Sequence, residues 1–397
     1  MKIVSVNLAN VGSTGGIVRQ IAELAEENGI TYYQAYPWSS KNKPAAEHDI
    51  LIGTKWGKGL SIMLGRITGF QGCFSVFATK KFLKRLDEIK PDIMQLHNIH
   101  NSYINLPMLF KYIKKHDIKV VWTLHDTWSF TGQCSYFTMA KCEKWKDGCH
   151  DCPQYRGYPE AYVDQTKRMW KLKKRWFTGV KKLVVVTPSV WLKELAEQSY
   201  LKEYPVMVIN NGINLKAFNP SAGDYKKQNN LEGKHIVLGV ALDWEARKGL
   251  DVFVELSKRF DDSYQIILVG TNDEVDKDIP ENIISIHRTH NQQELAVLYS
   301  AADVYVNPTR EENFPTVNME ALACGTPVIT FRTGGSPESL NDTCGIVVDC
   351  DDVDALEVAV KKVCETECFT EEDCVARGRQ FDAKTRFKEY IEIYKNL

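Results

Sequence analysis

Asn307-Pro-Thr-Arg-Glu-Glu-Asn-Phe-Pro-Thr-Val-Asn-Met-Glu-Ala-Leu-Ala-Cys-Gly-Thr-Pro-Val-Ile-Thr330 carries two carboxylates, Glu312 and Glu320, with seven residues between them. The run that leads into it, Ala302-Asp-Val-Tyr-Val-Asn307, is β-branched and aromatic, as a buried parallel strand is. After Pro315 the pattern becomes helical, with Val317, Ala321 and Leu322 on one side. Proline suits the first turn of a helix, where its missing N–H costs nothing. Gly325 closes the helix and Thr326-Pro-Val-Ile-Thr330 opens the next strand. Glu312 then falls in the loop at a strand's carboxyl end, and Glu320 about one and a half turns into the following helix.

That arrangement has chemical content. The free N–H groups of the helix start point at the loop between the carboxylates and suit a phosphate. One carboxylate can meet a sugar and the other a ribose diol, with a diphosphate between them. An ordinary βα unit with solvated glutamates shows the same pair, so the pair alone does not decide. The flanks add to it: Ala301-Ala-Asp303 before, Ala321-Leu-Ala-Cys-Gly-Thr-Pro-Val-Ile329 after, then Gly334-Gly-Ser-Pro-Glu338. With them the stretch resembles the E-x7-E region of retaining nucleotide-sugar glycosyltransferases of the GT-B fold, family 4 in particular. The resemblance covers nearly the whole chain and is strongest from residue 236 to 340. It implies an α/β fold of two Rossmann-like domains facing across a cleft. It also implies Glu312 on the donor sugar hydroxyls, Glu320 on the nucleotide ribose, and Asn313, Phe314, Thr316 and Val317 in the substrate site beside them.

Outward from this stretch, Ile236 to Leu242 reads as a strand, Asp243-Trp-Glu-Ala-Arg-Lys-Gly249 as a turn, and Leu250 to Phe260 as a helix. Cations at a helix start supply the charge that a departing nucleoside diphosphate needs. Lys248 matches the family's phosphate-binding lysine before glycine. The family's frequent arginine five residues earlier falls here on Asp243, a departure for which Arg247 is the nearest substitute. No Asp-x-Asp string is placed to hold a divalent ion under a diphosphate, so the reaction is expected to need no cofactor.

At the other end, Lys2 to Val6 is a strand, Asn10-Val-Gly-Ser-Thr-Gly-Gly16 a glycine loop, and Ile17 to Ala25 a helix, the first unit of a doubly wound sheet. Gly15 and Gly16 let a ligand approach the backbone closely; a tight turn reads the same way. Residues 37–80 read as an irregular packed loop, with an acceptor lining or a membrane contact as the alternatives. The strand Asp92 to Leu96 ends in His97-Asn-Ile-His100, where open α/β sheets place ligands. Ile118 to Leu124 is the next strand, and His125-Asp-Thr-Trp-Ser-Phe-Thr-Gly132 follows it. A histidine there can donate to a sugar hydroxyl or a leaving phosphate, although a lone histidine is more often structural. The His-Asp-x-Trp string resembles the loop that carries the family's active-site histidine. That makes His125 a catalytic candidate and Asp126 a substrate contact.

Cys134, Cys142, Cys149 and Cys152 follow with spacing C-x7-C-x6-C-x2-C. Four thiolates suffice for one tetrahedral structural zinc, and the last two form a normal half-site. Two disulfides or four free thiols are the alternatives, and a reducing compartment disfavours the first. Lys167 to Lys182 carries eight basic and no acidic residues, with Met169, Trp170, Leu172, Trp176 and Phe177 among them. That composition suits peripheral contact with anionic lipid; a solvated basic helix with a buried aromatic side is the other reading.

The chain of 397 residues, 44% hydrophobic and 25% charged, has ordinary globular values, and its length favours two domains. A formal charge of −1 gives no drive toward nucleic acid. Eleven scattered cysteines, a first strand without a cleavage region and the lack of a long apolar run suggest a soluble cytoplasmic protein. The expected organisation is an acceptor domain over 1–218, a linker over 219–232 and a nucleotide-sugar domain over 233–380. A C-terminal helix over 381–397 is expected to cross back to the first domain. The expected activity is retaining transfer of a sugar from a nucleoside diphosphate sugar to a glycan or lipid-linked acceptor in bacterial surface polysaccharide synthesis. A nucleotide-sugar epimerase or phosphorylase of the same fold, or a non-catalytic sugar-nucleotide binder, is the alternative.

Overall fold

Short strands buried on both faces account for the architecture, because strands flanked by helices on either side read as continuous apolar runs. The computed structural model describes Met1 to Leu397 except Pro44, Ala222 and Glu367. It divides into two units, Met1–Asn210 with Lys384–Leu397, and Asn211–Ala383.

In the first unit, β1 (Lys2–Val6), β2 (Thr31–Pro37), β3 (Asp49–Ile52), β4 (Ile93–Leu96), β5 (Lys119–Thr123), β6 (Leu183–Thr187) and β7 (Val206–Val208) form one parallel sheet. Its order is β3-β2-β1-β4-β5-β6-β7. Helices α1 (Gly12–Glu27), α2 (Lys55–Thr68), α3 (Val76–Ile89), α4 (Leu106–His116), α5 (Thr166–Phe177) and α6 (Val190–Gln198) connect the strands. The strand order reverses at β1 and β4, so the loops leaving these two strands flank the crevice where such sheets bind ligands.

The second unit contains α7 (Tyr225–Gln228), β8 (His235–Val240), α8 (Leu250–Arg259), β9 (Tyr264–Val269), β10 (Ile283–Ile286), α9 (Gln292–Ala301) and β11 (Val304–Asn307). It continues through α10 (Thr316–Ala323), β12 (Val328–Phe331), β13 (Gly345–Val348), α11 (Val353–Thr366) and α12 (Glu371–Arg379). Its parallel sheet runs β10-β9-β8-β11-β12-β13 and reverses at β8 and β11. The last helix, α13 (Ala383–Asn396), belongs to the first unit. There Tyr390 Oη lies 3.1 Å from Thr123 Oγ1, and Tyr394 donates to Gln95.

Several expectations change. The division falls at Asn210/Asn211 rather than 218, because Ile213, Ala217 and Phe218 join the second core. Residues 219–232 are not a free linker: Leu231 is buried in that core, and Lys226 Nζ donates to Asp303 Oδ2 at 2.7 Å. Within the stretch read as an irregular loop, Asp49–Ile52 forms β3, Lys55–Thr68 forms α2, and α3 starts at Val76. The first helix begins at Gly12, so Gly15 and Gly16 lie in its first turns and not in the loop before it. In α5 Met169, Trp170 and Phe177 are buried while Leu172 and Trp176 are half-buried, so most of the aromatic side faces inward. Lys173 is buried with them and donates to the Trp128 carbonyl, its ammonium 3.5 Å from the Trp128 ring centre. Among the described residues no helix is long and apolar enough to cross a membrane.

Candidate active site

The reversal point of the second sheet holds the carboxylate stretch. The loop leaving β8 carries Lys248 and the loop leaving β11 carries Glu312. Lys248 Nζ donates to Glu312 Oε2 at 2.5 Å, and both side chains are largely buried. Backbone contacts join the two loops: the Arg247 carbonyl accepts from Arg310 N at 2.7 Å and from Thr309 Oγ1 at 3.2 Å. Gly249 makes this approach feasible. It sits at φ 75°, and a Cβ there would come within 2.5 Å of the Pro308 carbonyl oxygen. Arg247 turns its guanidinium to Glu245 at 3.1 Å. Asp243, in the place of the family's arginine, is exposed.

Glu320 lies further along α10. Tyr299 Oη donates to its Oε2 at 3.3 Å and the Thr316 side chain also bonds it. Burial pushes its carboxyl up to about 7. Pro315 is the N-cap of α10, so the N–H groups from Thr316 onward start the helix. Phe314 is buried with its ring against Phe381, and its carbonyl accepts from Asn211 Nδ2 at 3.0 Å; its side chain supports the loop. Asn313 is buried, while Thr316 and Val317 are half-buried.

Two supports escaped the sequence reading. Arg310 forms a fork onto Asp251, at 2.8 and 2.7 Å, and reaches Asp351 at 2.6 Å, which fixes the start of the glutamate loop. Beneath α10, fully buried Asn318 accepts from Asn307 Nδ2 at 2.8 Å and donates to Ser336 Oγ at 3.0 Å and Ser339 Oγ at 2.9 Å. An Asn inside an otherwise apolar helix, with Ser336 in the Gly334-Gly turn, was the available signal. The chain does contain three Asp-x-Asp strings, Asp276-Lys-Asp278, Asp349-Cys-Asp351 and Asp352-Val-Asp354. Most of their carboxylates are engaged otherwise: Asp276 with Ser285 and His287, Asp349 with Arg332, Asp351 with Arg310, Asp352 with the Ala355 N–H and Asp354 with Arg259.

In the first unit, the loops leaving β4 and β5 bring His97 and His125 together. His97 Nδ1 lies 2.9 Å from His125 Nε2, with the rings stacked. Burial lowers both, His125 to about 4, with Asp126 pulling it the other way; both rings are neutral at pH 7. Burial opposes ionisation of Asp126, but His100 at 3.3 Å and the Trp128 N–H at 2.9 Å outweigh it and hold the carboxylate below its usual range. Asp126 therefore anchors its own loop. Gly15 is buried under the chain leaving β1, where a Cβ would come 2.7 Å from the Asn10 carbonyl carbon, whereas Gly16 faces open space. A cleft of about 640 Å³ in this unit is lined by Ala9, Lys58, Arg66, Asn101, Tyr158 and neighbouring residues.

The four cysteines line a single cavity of about 10 Å³, room for one atom. They are free thiols, and burial raises Cys134, Cys149 and Cys152. Among the described residues the only His, Cys, Asp or Glu trio with ligand atoms mutually within 4.8 Å is the exposed set Asp273, Asp276 and His287, so the sulfurs are not drawn into a tetrahedron.

Residues 14–217 match the family described as Glycosyltransferase Family 4, and residues 234–366 match Glycosyl transferases group 1. The chain belongs to glycosyltransferase family 4. Its relatives within reach of sequence comparison include the putative colanic acid biosynthesis glycosyl transferase WcaC of Escherichia coli K12, 26% identical over 77% of each chain. The O-antigen chain mannosyltransferase RfbU of Salmonella typhimurium is 26% identical over 60% of this chain and 62% of its own. An N,N'-diacetylbacillosaminyl-diphospho-undecaprenol α-1,3-N-acetylgalactosaminyltransferase of Campylobacter jejuni is 29% identical over 36% of this chain and 40% of its own. Similar solved folds include sucrose-phosphate synthase of Thermosynechococcus elongatus, with TM-score 0.75, 19% identity and coverage of 100% and 98%. Another is HepE of Anabaena in complex with UDP, with TM-score 0.68, 15% identity and full coverage of both chains. The two parallel α/β units of this glycosyltransferase are thus the GT-B fold.

Proposed function

We propose that this glycosyltransferase moves a sugar from a nucleoside diphosphate sugar to an acceptor hydroxyl, with retention at the anomeric carbon. The observation that carries the reading is the Lys248–Glu312 pair at the reversal point of the second sheet, with Glu320 on the adjoining helix. A bound diphosphate replaces Glu312 as partner of Lys248, and the freed Glu312 accepts from donor sugar hydroxyls. Glu320 accepts from the ribose, and Arg247 with the α10 N–H groups adds to the positive field. The bond from the anomeric carbon to phosphate breaks, the acceptor oxygen bonds the same face, and its proton passes to the departing phosphate. Lys248 and Arg247 supply the charge stabilisation, so no step calls for a divalent ion. In the first unit His125, neutral and held by His97, hydrogen-bonds a donor or acceptor hydroxyl, and Gly16 leaves room for the ligand.

The names of the relatives support a setting in bacterial surface polysaccharide synthesis, on the cytoplasmic side, with a glycan or lipid-linked acceptor. Cys134, Cys142, Cys149 and Cys152 hold one structural zinc in this reading. They surround one atom-sized cavity, and Gly132 N donates to Cys149 Sγ at 3.0 Å, as an N–H does to a metal-bound thiolate. Lys141 and Asp151, each just before a cysteine, take left-handed backbone angles of φ 47° and 41°. Side-chain rotation has to draw the sulfurs inward around the ion. The test of the transfer reading is a panel of UDP-, GDP-, ADP- and dTDP-sugars, scored for thermal stabilisation and slow donor hydrolysis with EDTA and with magnesium. The anomer released first is then read by proton NMR. One stabilising donor with a retained anomer is expected; no response to any donor, or an inverted product, refutes the reading.

A further inference from the structure

Helix α2 is amphipathic in the reverse sense. Thr54 caps it, accepting from Gly57 N at 3.2 Å, and Gly69 closes it in the left-handed conformation, so its ends are well defined. Its inward side is made of small residues. Ser61 and Gly65 are buried, Ser75 Oγ donates to Ser61 Oγ at 2.9 Å, and a Cβ on Gly65 would come within 2.9 Å of Ser102 Oγ. Its outward side carries the large apolar residues. Trp56 is 85% exposed, and Leu60, Met63 and Ile67 are about half exposed, at helical spacings of four, three and four. Phe77, in the first turn of α3, is 86% exposed. A helix serving only its own core would bury these groups and expose the serine and glycine. A contiguous exposed apolar stripe of this kind marks a surface with a partner.

Charge identifies the partner. Helix α2 carries Lys55 and Arg66, the latter paired with Glu160, with Lys58 turned to the Trp38 carbonyl, and no acidic residue; α3 adds Lys80, Lys81 and Lys84 ahead of Asp87 and Glu88 at its end. Cations flanking an exposed tryptophan and aliphatic residues on one helix face match the boundary of an anionic bilayer. There the rings and aliphatic chains enter the acyl edge and the ammonium groups stay with the phosphates. The same helix contributes Lys58, Ile62 and Arg66 to the wall of the 640 Å³ cleft in the first unit. We infer that α2 and Phe77 form a docking surface for anionic lipid, holding that cleft at the membrane where a lipid-linked acceptor resides. The second half of the inference rests on the acceptor reading above; the docking itself does not.

The test is co-sedimentation with vesicles of equimolar phosphatidylcholine and phosphatidylglycerol, against vesicles of phosphatidylcholine alone, with donor hydrolysis measured on the same samples. The wild type should pellet with the anionic vesicles, and high salt should release much of it. The triple variant Trp56→Ser, Leu60→Ser, Ile67→Ser changes only exposed side chains. It should lose binding by roughly tenfold or more and keep its donor hydrolysis. Wild-type protein that hydrolyses donor yet stays in the supernatant with both vesicles overturns the inference and leaves the transferase reading standing. Unchanged vesicle binding by the triple variant overturns it as well. A dimer that the triple variant dissociates, without vesicle binding, assigns the stripe to a second copy of the chain instead.

Discussion

Lys248 and Glu312 hold each other at 2.5 Å across two loops that leave neighbouring parallel strands, β8 and β11. Each charge sits in a largely buried position that it occupies only because the other is there. In the proposed donor complex, phosphate takes the place of one partner and sugar hydroxyls that of the other.

Removing one member should therefore separate binding from chemistry. Glu312→Ala should leave nucleotide affinity by calorimetry nearly unchanged and abolish transfer. Lys248→Ala should weaken nucleotide binding and lower kcat by about 10²–10³-fold, the usual loss for one donor to a developing negative charge. Because the two act as one unit, the double variant should be little worse in transfer than Glu312→Ala. A Lys248→Ala enzyme with wild-type kcat would remove the lysine from the leaving-group site.

Gly249→Ala tests the join between the loops. The methyl group meets the Pro308 carbonyl oxygen at 2.5 Å and the residue is left at φ 75°. A strained position of this kind costs on the order of 1–3 kcal/mol. The expected result is a lower Tm together with a loss of transfer larger than the stability change explains, since both Lys248 and Glu312 are displaced. A lower Tm with full activity would show that the loops adapt without the glycine.

How far the sequence carried can be seen residue by residue. The strand–loop–helix stretch around Glu312 was legible because its apolar runs, Pro315 and Gly325 sit where local chain geometry demands them. The phosphate role of Lys248 came from resemblance, but its contact with Glu312, 64 positions away, was not foreseen, since no local pattern encodes which two loops a sheet reversal brings together. Arg310 escaped notice because its partners Asp251 and Asp351 lie in other loops. Helix α2 was misread for a physical reason: its large apolar residues point outward and glycines dilute the rest, so the usual inward stripe is missing. At α5 the run of cations left two readings open, lipid contact or a buried aromatic side, and Met169, Trp170, Lys173 and Phe177 form a buried side.

Glu320 predicts a pH dependence of definite sign. Its folded pKa of about 7 lies above the ordinary 4.5, so between these values the native protein holds a proton that the unfolded chain has released. Stability from this group is therefore highest below pH 4.5, falls as pH rises toward 7, and is level above that. Glu320→Gln should match the wild type in Tm at the acid end of this window and exceed it at the alkaline end. Nucleotide affinity should move the other way in the wild type, rising as the carboxylate ionises and can accept from ribose hydroxyls, and should be weaker and flat in the variant. The same pH profile in both proteins would show that another group titrates.

The cysteine set gives the last prediction, and it needs no variant. Around one cavity of about 10 Å³ lined by the four cysteines, burial makes Cys134, Cys149 and Cys152 costly to ionise, and neighbouring thiolates raise that cost. A divalent ion reverses that balance, because it binds the thiolates and releases their protons. Elemental analysis of protein purified without chelator should find one zinc per chain. Titration with an organomercurial should release that zinc in step with four thiols, and cobalt exchanged into the site should give the visible spectrum of tetrahedral thiolate ligation. Zinc removal should lower Tm and loosen the loop from Gln133 to Cys152 without altering donor hydrolysis, since four cysteines leave no open position for chemistry. Folded, active protein that contains no zinc and exposes four reactive thiols would leave the cavity as simple packing. Folded protein with no reactive thiols and no metal would indicate disulfides instead.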